Sequence, residues 1–513
     1  MTTVAEILVQ LKRRCLEKGD AIALQETTGR QLTFRALWDQ VENVSNNLSA
    51  RGLQPGDNVL FAVRPRIESI VLILAIVRAG GVVVALDVGM GEELFASRIG
   101  MIKPKWMMAE SSVLALSSTA RARALLRWRG VTLPKLAAIE GCKFVRVGPF
   151  LPIGPRALPY QALCKPAARN APPAVPPDAP AFVVFTSGTT ESPKAVVHTG
   201  SSIGATLAIA AEHLAIGAAD VVYAAELHLV VPALLAGVRI VLPRYGRFEP
   251  GRYLHDLERH RISHTYCLPA DIQTLIRYCT VHGERLPRAL KIVMLGAAPI
   301  YPVLLGRLRG LLEASTHVSC IYAMTEMLPV CAVTLDEKLA YGGGGDLVGR
   351  PFPGISVRLE QGELIIGGPN LFSHYLGEAP IEEHATGDLA RVDDDGRVVL
   401  LGRKKDMIIR GHYNIYPPLF EPTIEKIAGV RRCALVGVYI DGSADETVIL
   451  AIEPEGRANG EFEVRVRRAL RAGPFSIDAS AQPDRIVVMQ IPLAGRSQKV
   501  DVDALRAAIR ERL

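Results

Sequence analysis

The stretch AFVVFTSGTTESPK, residues 181–194, joins an apolar run to a loop of hydroxyl side chains that ends in a lysine. The run AFVVF has the length of a buried strand. In the loop, Gly188 permits tight backbone geometry, and successive backbone N–H groups in such a turn form an anion-binding concavity. The side-chain donors of the loop are Thr186, Ser187, Thr189, Thr190 and Lys194. The stretch predicts a strand leading into a polyphosphate-binding loop, and its alternative interpretation is an ordinary surface loop.

Apolar runs of strand length alternate with helix-length segments through most of the chain. Examples are NVLFAV at 58–63, GGVVVALD at 80–87 and KIVMLG at 291–296. Strands separated by helices predict a mainly parallel sheet with helices on both faces. The Pro- and Ala-rich region 142–180 is interpreted as a surface connection that precedes the phosphate loop.

The pattern changes in the last third of the chain. From about residue 350 short alternating strands are separated by turns, and DDDG at 393–396 is a good hairpin signal. After GRKKD at 402–406, about a hundred residues remain, with two strand patterns and two amphipathic helices. We therefore expect an α/β protein with a large N-terminal domain, residues 1–403, that includes a β-rich subdomain at about 345–403. A small α+β domain, residues 404–513, completes the chain.

Composition narrows the classes of function. The chain has 513 residues, a length that suggests two to four structural units. Of these residues 49% are hydrophobic and 22% charged, which are fractions typical of a globular protein. The formal charge is +7, and no block of like charge stands out. This distribution disfavours nucleic acid as a partner and suits small anionic ligands such as ATP.

Two further observations bear on the cellular setting. The eight cysteines form no CxxC pair and no zinc-like spacing with histidine, so we expect reduced thiols in a cytoplasmic protein without a metal or disulfide role for them. The most apolar stretch, IVLILAIV at 70–77, ends at Arg78 and is far too short to span a membrane. The N-terminus predicts an amphipathic helix instead of a signal peptide.

Three short stretches contain further candidate site residues. IYAMTEM at 321–327 follows a strand, where Tyr322 can lie against a purine and Glu326 can bind Mg²⁺. In TGD at 386–388, Asp388 can accept hydrogen bonds from both hydroxyls of a ribose. GRKKD at 402–406 places Arg403 within reach of ribose or phosphate. Each stretch alone is more typical of a surface turn than of a site.

The last two candidates are lysines. Lys405 lies where the sequence pattern changes from one predicted domain to the next, and a polar residue at such a joint can absorb a backbone rotation. Lys499, in GRSQKVD at 495–501, is a long cationic side chain in a polar context near the C-terminus. Taken alone, a surface lysine is the simpler interpretation of it.

Together and in this order, these stretches resemble the adenylate-forming superfamily of acyl-CoA synthetases, luciferases and peptide-synthetase adenylation domains. The resemblance runs nearly end to end. Its most specific parts are FTSGTTESPK, TGD and GRKKDMIIRGHYNIYP at 402–417. It implies a large AMP-binding domain, a small mobile C-terminal domain and an active site between them.

The resemblance also implies roles for matching positions. The phosphate loop would run from Thr186 to Lys194, Thr325 would contact phosphate and Glu326 would bind Mg²⁺. Asp388 and Arg403 would hold the ribose. The residues on the adenine side would be Gly296, Ala297, Ala298 and Tyr322. The remaining roles would be those of the hinge, the catalytic lysine and a residue beside the acyl pocket, namely Lys405, Lys499 and His228.

The implied chemistry is the activation of a carboxylic acid. The carboxylate attacks the α-phosphate of ATP, pyrophosphate leaves, and fixed positive charges offset the repulsion between the two anions. The acyl group then passes to the thiol of CoA or of an acyl or peptidyl carrier protein with a phosphopantetheine arm. Two alternatives stay open: a non-catalytic nucleotide-binding protein, and a cyclase that needs no thiol.

The cyclase alternative comes from a narrower likeness. ALDVGMGEELFASRI at 85–99, HLVVPALLAGVRIVLPR at 228–244 and YAMTEMLPV at 322–330 are similar to the β-lactone synthetases of olefin biosynthesis. Those enzymes close an adenylated 3-hydroxy acid on its own hydroxyl. The GRKKDMIIRGHYNIYP stretch and the segment around Lys499 are more similar to thioester-forming ligases.

The sequence also departs from the superfamily pattern. Glu191 stands at a usual glycine of the loop, and three other residues replace glycines, namely Ala195, Ala323 and Gln498. Lost glycines reduce backbone freedom where ligands approach closely. Glu191 adds a negative charge towards a triphosphate, and we expect it to point outward so that ATP still binds.

Overall fold

The computed structural model describes the chain in nine stretches. They are residues 2–85, 92–128, 133–168, 170–185, 194–410, 413–439, 446–456, 460–495 and 498–512. Within them the chain forms sixteen α-helices and twenty-eight strands.

The helices lie mostly between strands of the two large sheets. They are α1 Val4–Lys18, α2 Phe34–Ala50, α3 Ile67–Arg78, α4 Glu92–Ile102, α5 Ser111–Ser118, α6 Ala120–Trp128, α7 Tyr160–Leu163, α8 Gly200–Leu214, α9 Leu227–Ala236, α10 Pro250–Arg259, α11 Pro269–His282, α12 Pro302–Arg309, α13 Leu335–Ala340, α14 Pro417–Ile424, α15 Gly460–Arg471 and α16 Val502–Arg510.

The strands before residue 404 are β1 Ile22–Glu26, β2 Gln31–Thr33, β3 Asn58–Ala62, β4 Val82–Ala85, β5 Trp106–Glu110, β6 Lys143–Val147, β7 Ala157–Pro159, β8 Pro180–Phe185, β9 Ala195–Thr199, β10 Val221–Tyr223, β11 Arg239–Leu242, β12 His264–Cys267, β13 Ile292–Leu295, β14 His317–Met324, β15 Met327–Thr334, β16 Asp346–Pro351, β17 Ser356–Glu360, β18 Glu363–Gly367, β19 His374–Tyr375, β20 Glu383–Val392 and β21 Val398–Arg403. Those after it are β22 Ile408–Arg410, β23 Tyr413–Ile415, β24 Val430–Val438, β25 Thr447–Pro454, β26 Arg485–Val488, β27 Leu493–Ala494 and β28 Lys499–Val500.

Local sequence explains the two helices that anchor the N-terminal region. In α1, Thr3 caps the helix start and Glu6 returns the hydrogen bond, while Leu11 and Cys15, four residues apart, are buried. Most of the side chains of α3 are buried, as expected for the apolar stretch at 70–77. Among the described residues, no helix combines the length and apolar content needed to cross a bilayer.

A thirteen-stranded sheet contains most of the site. Its order is β17-β18-β20-β21-β16-β15-β14-β13-β12-β10-β11-β1-β2. The strands β11, β10, β12, β13 and β14 pair in parallel, whereas those from β14 to β17 pair antiparallel. The α/β expectation is confirmed, and the predicted β-rich part at about 345–403 continues the same sheet.

An eight-stranded sheet, β19-β9-β8-β4-β3-β5-β6-β7, lies in the same region. Its strands from β8 to β7 are parallel. The interpretation of 142–180 as a surface connection is wrong for its first half, because β6 and β7 extend this sheet and α7 follows them. The alternating strand pattern of KFVRV at 143–147 outweighs the Pro and Ala content around it.

The part after residue 404 has its own apolar clusters. The sheet β24-β25-β26 packs α14 and α15 on one side, through residues such as Ile424 and Phe462, and α16 on the other, through Leu505 and Ile509. All members of these two clusters follow residue 407, and the other four clusters consist of earlier residues. The domain boundary at 403/404 stays a prediction.

Candidate active site

Four parallel strands end side by side where the predicted site residues lie. The strands β10, β12, β13 and β14 are successive neighbours, and His228, Gly296 and Thr325 follow their carboxyl ends. Ligands of α/β proteins bind at this edge because the loops after neighbouring parallel strands converge there. A cavity of about 300 Å³ opens at it.

The lining of this cavity is mainly apolar. It includes Leu229, Met294, Ile321 and Phe352, together with the backbone of Gly296 and Ala297. The ammonium-bearing residue Lys499 also lines it, although it comes from the last hairpin of the chain. An apolar pocket with one cation at its mouth is suited to a small apolar anion.

Tyr322, Asp388 and Arg403 form a compact unit, here called the Asp388 corner. The hydroxyl of Tyr322 donates to Asp388 Oδ2 at 2.5 Å, and Arg403 Nε lies 2.6 Å from Oδ1. Asp388 and Arg403 are direct neighbours across the antiparallel pair β20–β21. Each carboxylate oxygen has two lone pairs, so the corner can still accept hydrogen bonds from ribose hydroxyls.

The turn before Asp388 fixes its direction. Gly387 has φ +73°, a conformation that glycine adopts readily, and its N–H donates to Glu363 Oε1 at 3.0 Å. The N–H of Asp388 donates to Thr386 Oγ1 at 3.0 Å. Burial raises the pKa of Asp388 above its ordinary value, and the neighbouring Arg403 opposes that rise. The Asp388 corner is therefore a buried carboxylate whose position is fixed by backbone hydrogen bonds and by the guanidinium of Arg403.

Glu326 belongs to a second polar unit that faces the same edge. Its carboxylate Oε1 accepts a hydrogen bond from the hydroxyl of Tyr375 at 2.8 Å, and the ammonium of Lys194 lies 4.5 Å from the centre of the Tyr375 ring. His198 Nε2 lies 2.8 Å from the carbonyl oxygen of Thr325. Because a carbonyl only accepts, Nε2 carries the proton.

This unit can accommodate one divalent cation with help from a substrate. Among the described residues no cluster of three or more His, Cys, Asp or Glu side chains could hold a metal on its own. Mg²⁺ commonly takes one or two protein carboxylates and completes its shell with phosphate oxygens and water. The bond from Tyr375 uses one of the four lone-pair positions of Glu326, so the carboxylate fits that role.

Lys499 sits on a short two-stranded ladder, the lysine hairpin, formed by β27 and β28 with Ala494 paired to Lys499. The residue is exposed at the cavity mouth, yet desolvation around its ammonium group lowers its pKa. Arg403 adds to that effect and Asp388 opposes it, so the hairpin brings Lys499 into electrostatic reach of the Asp388 corner. Its neighbour Gln498 has φ +52°.

Two histidines, His213 and His228, add polar groups to the lining of the apolar cavity. His228 is half-buried in α9 and meets the ring of Tyr266 edge to face at 6.1 Å. His213 Nε2 lies 2.9 Å from Ser319 Oγ. Burial lowers the pKa of both histidines, so both are neutral at pH 7.

Some predicted site residues fall outside these contacts. Residues 186–193, which include Glu191 and most of the predicted phosphate loop, lie outside the described residues, and only Lys194 of that loop is placed. Ala298 follows Ala297, which has φ +67°, and does not line the cavity. Lys405 is exposed in the short 3-10 turn Lys404–Asp406, next to the bond from Lys404 to Glu363 at 2.9 Å.

The replaced glycines differ in their consequences. Ala195 is a buried residue of β9, and Ala323 lies at an irregularity of β14, neither with a positive φ. Gln498 alone of the three described positions adopts the left-handed region, so the loss of glycine matters there. Its side-chain Nε2 donates to the carbonyl of Gly495 at 3.1 Å, and its backbone N–H donates to the same carbonyl at 3.3 Å.

Sequence reasoning missed the residues that support the predicted ones. Tyr375 is 49 positions from Glu326 and His198 is 127 positions from Thr325, and neither stands in a motif. The signal that could have found them is weak: HTG at 198–200 ends a strand beside the phosphate loop, and HY at 374–375 pairs with that strand. The pairing of β19 with β9, which are far apart in the sequence, brings both residues next to the predicted ones.

Comparison with known proteins gives the relatives of the chain. An olefin beta-lactone synthetase of Xanthomonas campestris is 26% identical over 530 residues, which cover 92% of this chain and 91% of that protein. A feruloyl-CoA synthase of an Amycolatopsis species is 28% identical over 440 residues, covering 80% and 81%. The solved structure of the amide bond synthetase McbA from Marinactinospora thermotolerans superposes with a TM-score of 0.79 at 24% identity, covering 98% and 99%, and supports the fold.

The fold and the arrangement at its strand ends define an adenylate-forming enzyme. The pattern of the AMP-binding enzyme family matches residues 11–376, more than half of the chain, and the chain belongs to that family. It is an acyl-CoA synthetase-like ligase that uses ATP to activate a carboxylic acid as an acyl-adenylate. The narrower likeness to β-lactone synthetases is confirmed by the Xanthomonas relative. The acyl-CoA ligase relatives do not favour the alternative functions, a thiol-independent cyclase and a non-catalytic binding protein.

Proposed function

We propose that the chain activates a small, mainly apolar carboxylic acid and transfers the acyl group to the thiol of CoA or of a phosphopantetheine carrier protein. The observation that carries the proposal is the position of Lys499 at the mouth of an apolar cavity, in electrostatic reach of the Asp388 corner. That arrangement puts one cation between a site for an apolar acid and a candidate site for a nucleotide sugar.

The cavity limits the size of the acid that the protein can bind. Its volume of about 300 Å³ equals that of roughly ten water molecules in the liquid, which suits an acid of about ten non-hydrogen atoms. Leu229, Met294 and Phe352 favour an aliphatic or aromatic body. The neutral His213 and His228 offer hydrogen bonds to one polar group on that body.

In the first step a carboxylate oxygen of the acid attacks the α-phosphorus of ATP, and the bond from that phosphorus to the bridging oxygen breaks. Lys499 holds the two anions together, and Asp388 with Arg403 orients the ribose. Preorganised charges of this kind lower such barriers by a few kcal/mol each. Glu326 would hold Mg²⁺, which stabilises the negative charge on the departing pyrophosphate.

In the second step the sulfur of a thiol attacks the acyl carbonyl, the bond to the AMP oxygen breaks, and the thiol proton passes to solvent. In the described arrangement Lys499 lines the acyl cavity. We therefore propose that the region after residue 404 rotates about Lys405 before the second step and withdraws the lysine.

The test is a screen of acids for pyrophosphate release, with and without CoA. Linear acids of six to sixteen carbons, aryl acids and 3-hydroxy acids are compared, and products are identified by mass spectrometry. We expect a maximum near ten non-hydrogen atoms and conversion to acyl-CoA with release of AMP. Turnover confined to 3-hydroxy acids and unchanged by CoA would overturn the thiol step, and no pyrophosphate with any acid would overturn the whole proposal.

A further inference from the structure

The whole net positive charge of the chain is contributed by about a tenth of its length. Residues 111–160 contain eight Lys and Arg residues and one Glu, a net +7, and the other 463 residues contain 51 basic and 51 acidic side chains. The formal charge of the whole chain is also +7, so the remainder is neutral. The expectation that no block of like charge stands out is wrong here, because apolar residues alternate with the basic ones and hide the concentration.

The same part of the chain exposes large apolar side chains. Trp128 is 82% exposed, Phe150 73%, Leu125 54% and Ile153 52%. Among the described residues, Trp128 and Phe150 are the only exposed tryptophan and phenylalanine. A single exposed apolar residue is ordinary, whereas several on adjoining elements with aromatic members mark an interaction surface.

These residues lie on elements that pack together at one end of the eight-stranded sheet. The loop 148–156 joins β6 to the edge strand β7, and Ser111, the first residue of α5, donates through Oγ to Val147 O at 3.2 Å. At Gly154 the loop runs against the backbone of Leu114 in the middle of α5. The helix α6 follows α5 after one residue and packs on it. We call α6 and the loop 148–156 the basic-apolar patch.

Two exposed cations of the patch, Arg121 and Arg156, are available for an external partner. Arg123 of α6 and Arg146 of the adjoining strand β6 are half-buried and donate to the backbone carbonyls of Ser117 and Gly148. The guanidinium carbon of Arg146 also lies 5.4 Å from the ring of Phe150. Within the part of the chain that the structure describes, none of Arg121, Arg123, Arg146 and Arg156 forms an ion pair with a carboxylate. The positive charge of the patch is therefore not neutralised internally.

We propose that the basic-apolar patch binds the surface of an anionic lipid bilayer. Arginines with unpaired charge are attracted to anionic headgroups, and tryptophan, phenylalanine, isoleucine and leucine side chains enter the boundary between headgroups and acyl chains. This combination favours lipid over nucleic acid or an acidic protein surface, since those partners would leave four exposed apolar side chains without an apolar environment. The binding is peripheral, and it is independent of the reaction proposed above.

Vesicle co-sedimentation of the full chain tests the proposal. Vesicles of phosphatidylcholine with 30% phosphatidylglycerol are compared with pure phosphatidylcholine, at low salt and at 0.5 M NaCl. We expect the chain to pellet with the anionic vesicles at low salt and the bound fraction to fall at high salt, because salt screens the headgroup charge. Absence of pelleting with anionic vesicles, or equal pelleting with neutral ones, would overturn the proposal.

Two kinds of variant separate the contributions. Trp128→Ser with Phe150→Ser removes apolar penetration, and Arg121→Glu with Arg156→Glu reverses charge; each pair should weaken partitioning about tenfold or more. Matched controls away from the patch are Val281→Ser with Val464→Ser, which are 74% and 68% exposed, and the double reversal Arg468→Glu with Arg471→Glu at two exposed arginines. A loss as large in the controls as in the patch variants would contradict the assignment.

A duplex oligonucleotide of the same charge concentration, measured by anisotropy, is the competing ligand. Tighter binding to it than to the anionic vesicles, with the same dependence on Arg121 and Arg156, would replace lipid by nucleic acid and overturn the proposal. Thermal unfolding and pyrophosphate release should be unchanged in all variants, because none of these positions lies in the candidate active site. If the Trp128→Ser protein loses its fold along with lipid binding, the charge-reversal pair still tests the proposal, because it changes only exposed arginines.

Discussion

The Asp388 corner and the lysine hairpin lie in electrostatic reach of each other but are built in different ways. The corner stands on two long paired strands, β20 and β21, and its carboxylate has a phenol, a guanidinium and backbone bonds around it. The hairpin is a ladder of two residue pairs, and the residue directly before Lys499, Gln498, lies in the left-handed region. One part of the site is preorganised and the other is lightly held.

This difference corresponds to what each part has to do in the proposed reaction. A nucleotide sugar must be held in one place through both steps, which favours a corner whose partners are already in position. A lysine that acts in the first step and withdraws for the second must not be fixed by many contacts, because each contact would have to be broken. The predictions below test whether the two parts carry these separate tasks.

The largest expected effect is that of Lys499→Ala. We expect the rate of pyrophosphate release to fall by about a thousandfold, since the variant lacks the cation that we propose bridges acid and phosphate. Transfer from a chemically prepared acyl-adenylate to CoA should fall by less than tenfold. Lys426→Ala, an exposed lysine of the same region, is the matched control. Equal losses in both half-reactions would contradict a role confined to the first step.

Lys499 also predicts a pH dependence. Desolvation around its ammonium group, with the neighbouring Arg403, lowers its pKa, so kcat/KM for adenylation should decline on the alkaline side at a lower pH than an ordinary lysine would give. In Lys499→Arg the guanidinium stays charged over this range, and the alkaline decline should disappear even if the maximal rate is lower. An unchanged alkaline limb in that variant would assign the decline to another group.

Asp388→Asn should have the next largest effect. It removes the charge that pairs with Arg403 and accepts from Tyr322, and we expect KM for ATP to rise by about ten- to a hundredfold with little change in the KM of the acid. Initial rates with varied ATP measure it. Asp395→Asn, in the exposed hairpin turn before β21, is the control.

The corner has a pH signature of its own. Burial raises the pKa of Asp388, so its protonation begins at a higher pH than in an ordinary aspartate. ATP binding should therefore weaken as pH falls towards that range and recover as pH rises above it. In Asp388→Asn this acid-side change should be absent, and its persistence would show that a different carboxylate titrates.

Sequence reasoning reached the sheet of the site and most of its charged residues, for physical reasons that differ between the parts. Strand patterns and the TGD turn are local, so Asp388, Arg403 and the hairpin between them followed from nearby residues. Tyr375 and His198 depend on the pairing of β19 with β9, which joins residues such as His374 and Val197, 177 positions apart, and no local pattern encodes that register. The concentrated charge of 111–160 was hidden because its arginines alternate with apolar residues.

Tyr375→Phe tests whether the Glu326 unit belongs with the preorganised part. The variant deletes one hydrogen bond to the carboxylate, at 2.8 Å, and keeps the ring beneath Lys194. We expect the Mg²⁺ concentration for half-maximal adenylation to rise by about three- to tenfold, in line with the loss of one hydrogen bond to a charged group. Tyr439→Phe, on an exposed tyrosine, serves as control. If the Mg²⁺ requirement is unchanged, the hydrogen bond from Tyr375 does not contribute to Mg²⁺ binding by Glu326.

The smallest expected effect concerns Gln498, and it tests the lightly held part directly. A non-glycine residue at φ +52° costs about 1 kcal/mol, which the bond from its side chain to Gly495 partly offsets. Gln498→Gly removes the strain and should leave the adenylation rate equal or raise it about twofold. Gln498→Ala keeps the strain but loses the bond, and Gln498→Val adds β-branching, so the rates should follow Gly, Gln, Ala, Val in descending order over about a threefold range. Because Lys499 follows in the chain, this order appears only if the left-handed turn places the lysine. Equal rates in all four proteins would mean that the hairpin adopts its active geometry only once substrate is bound.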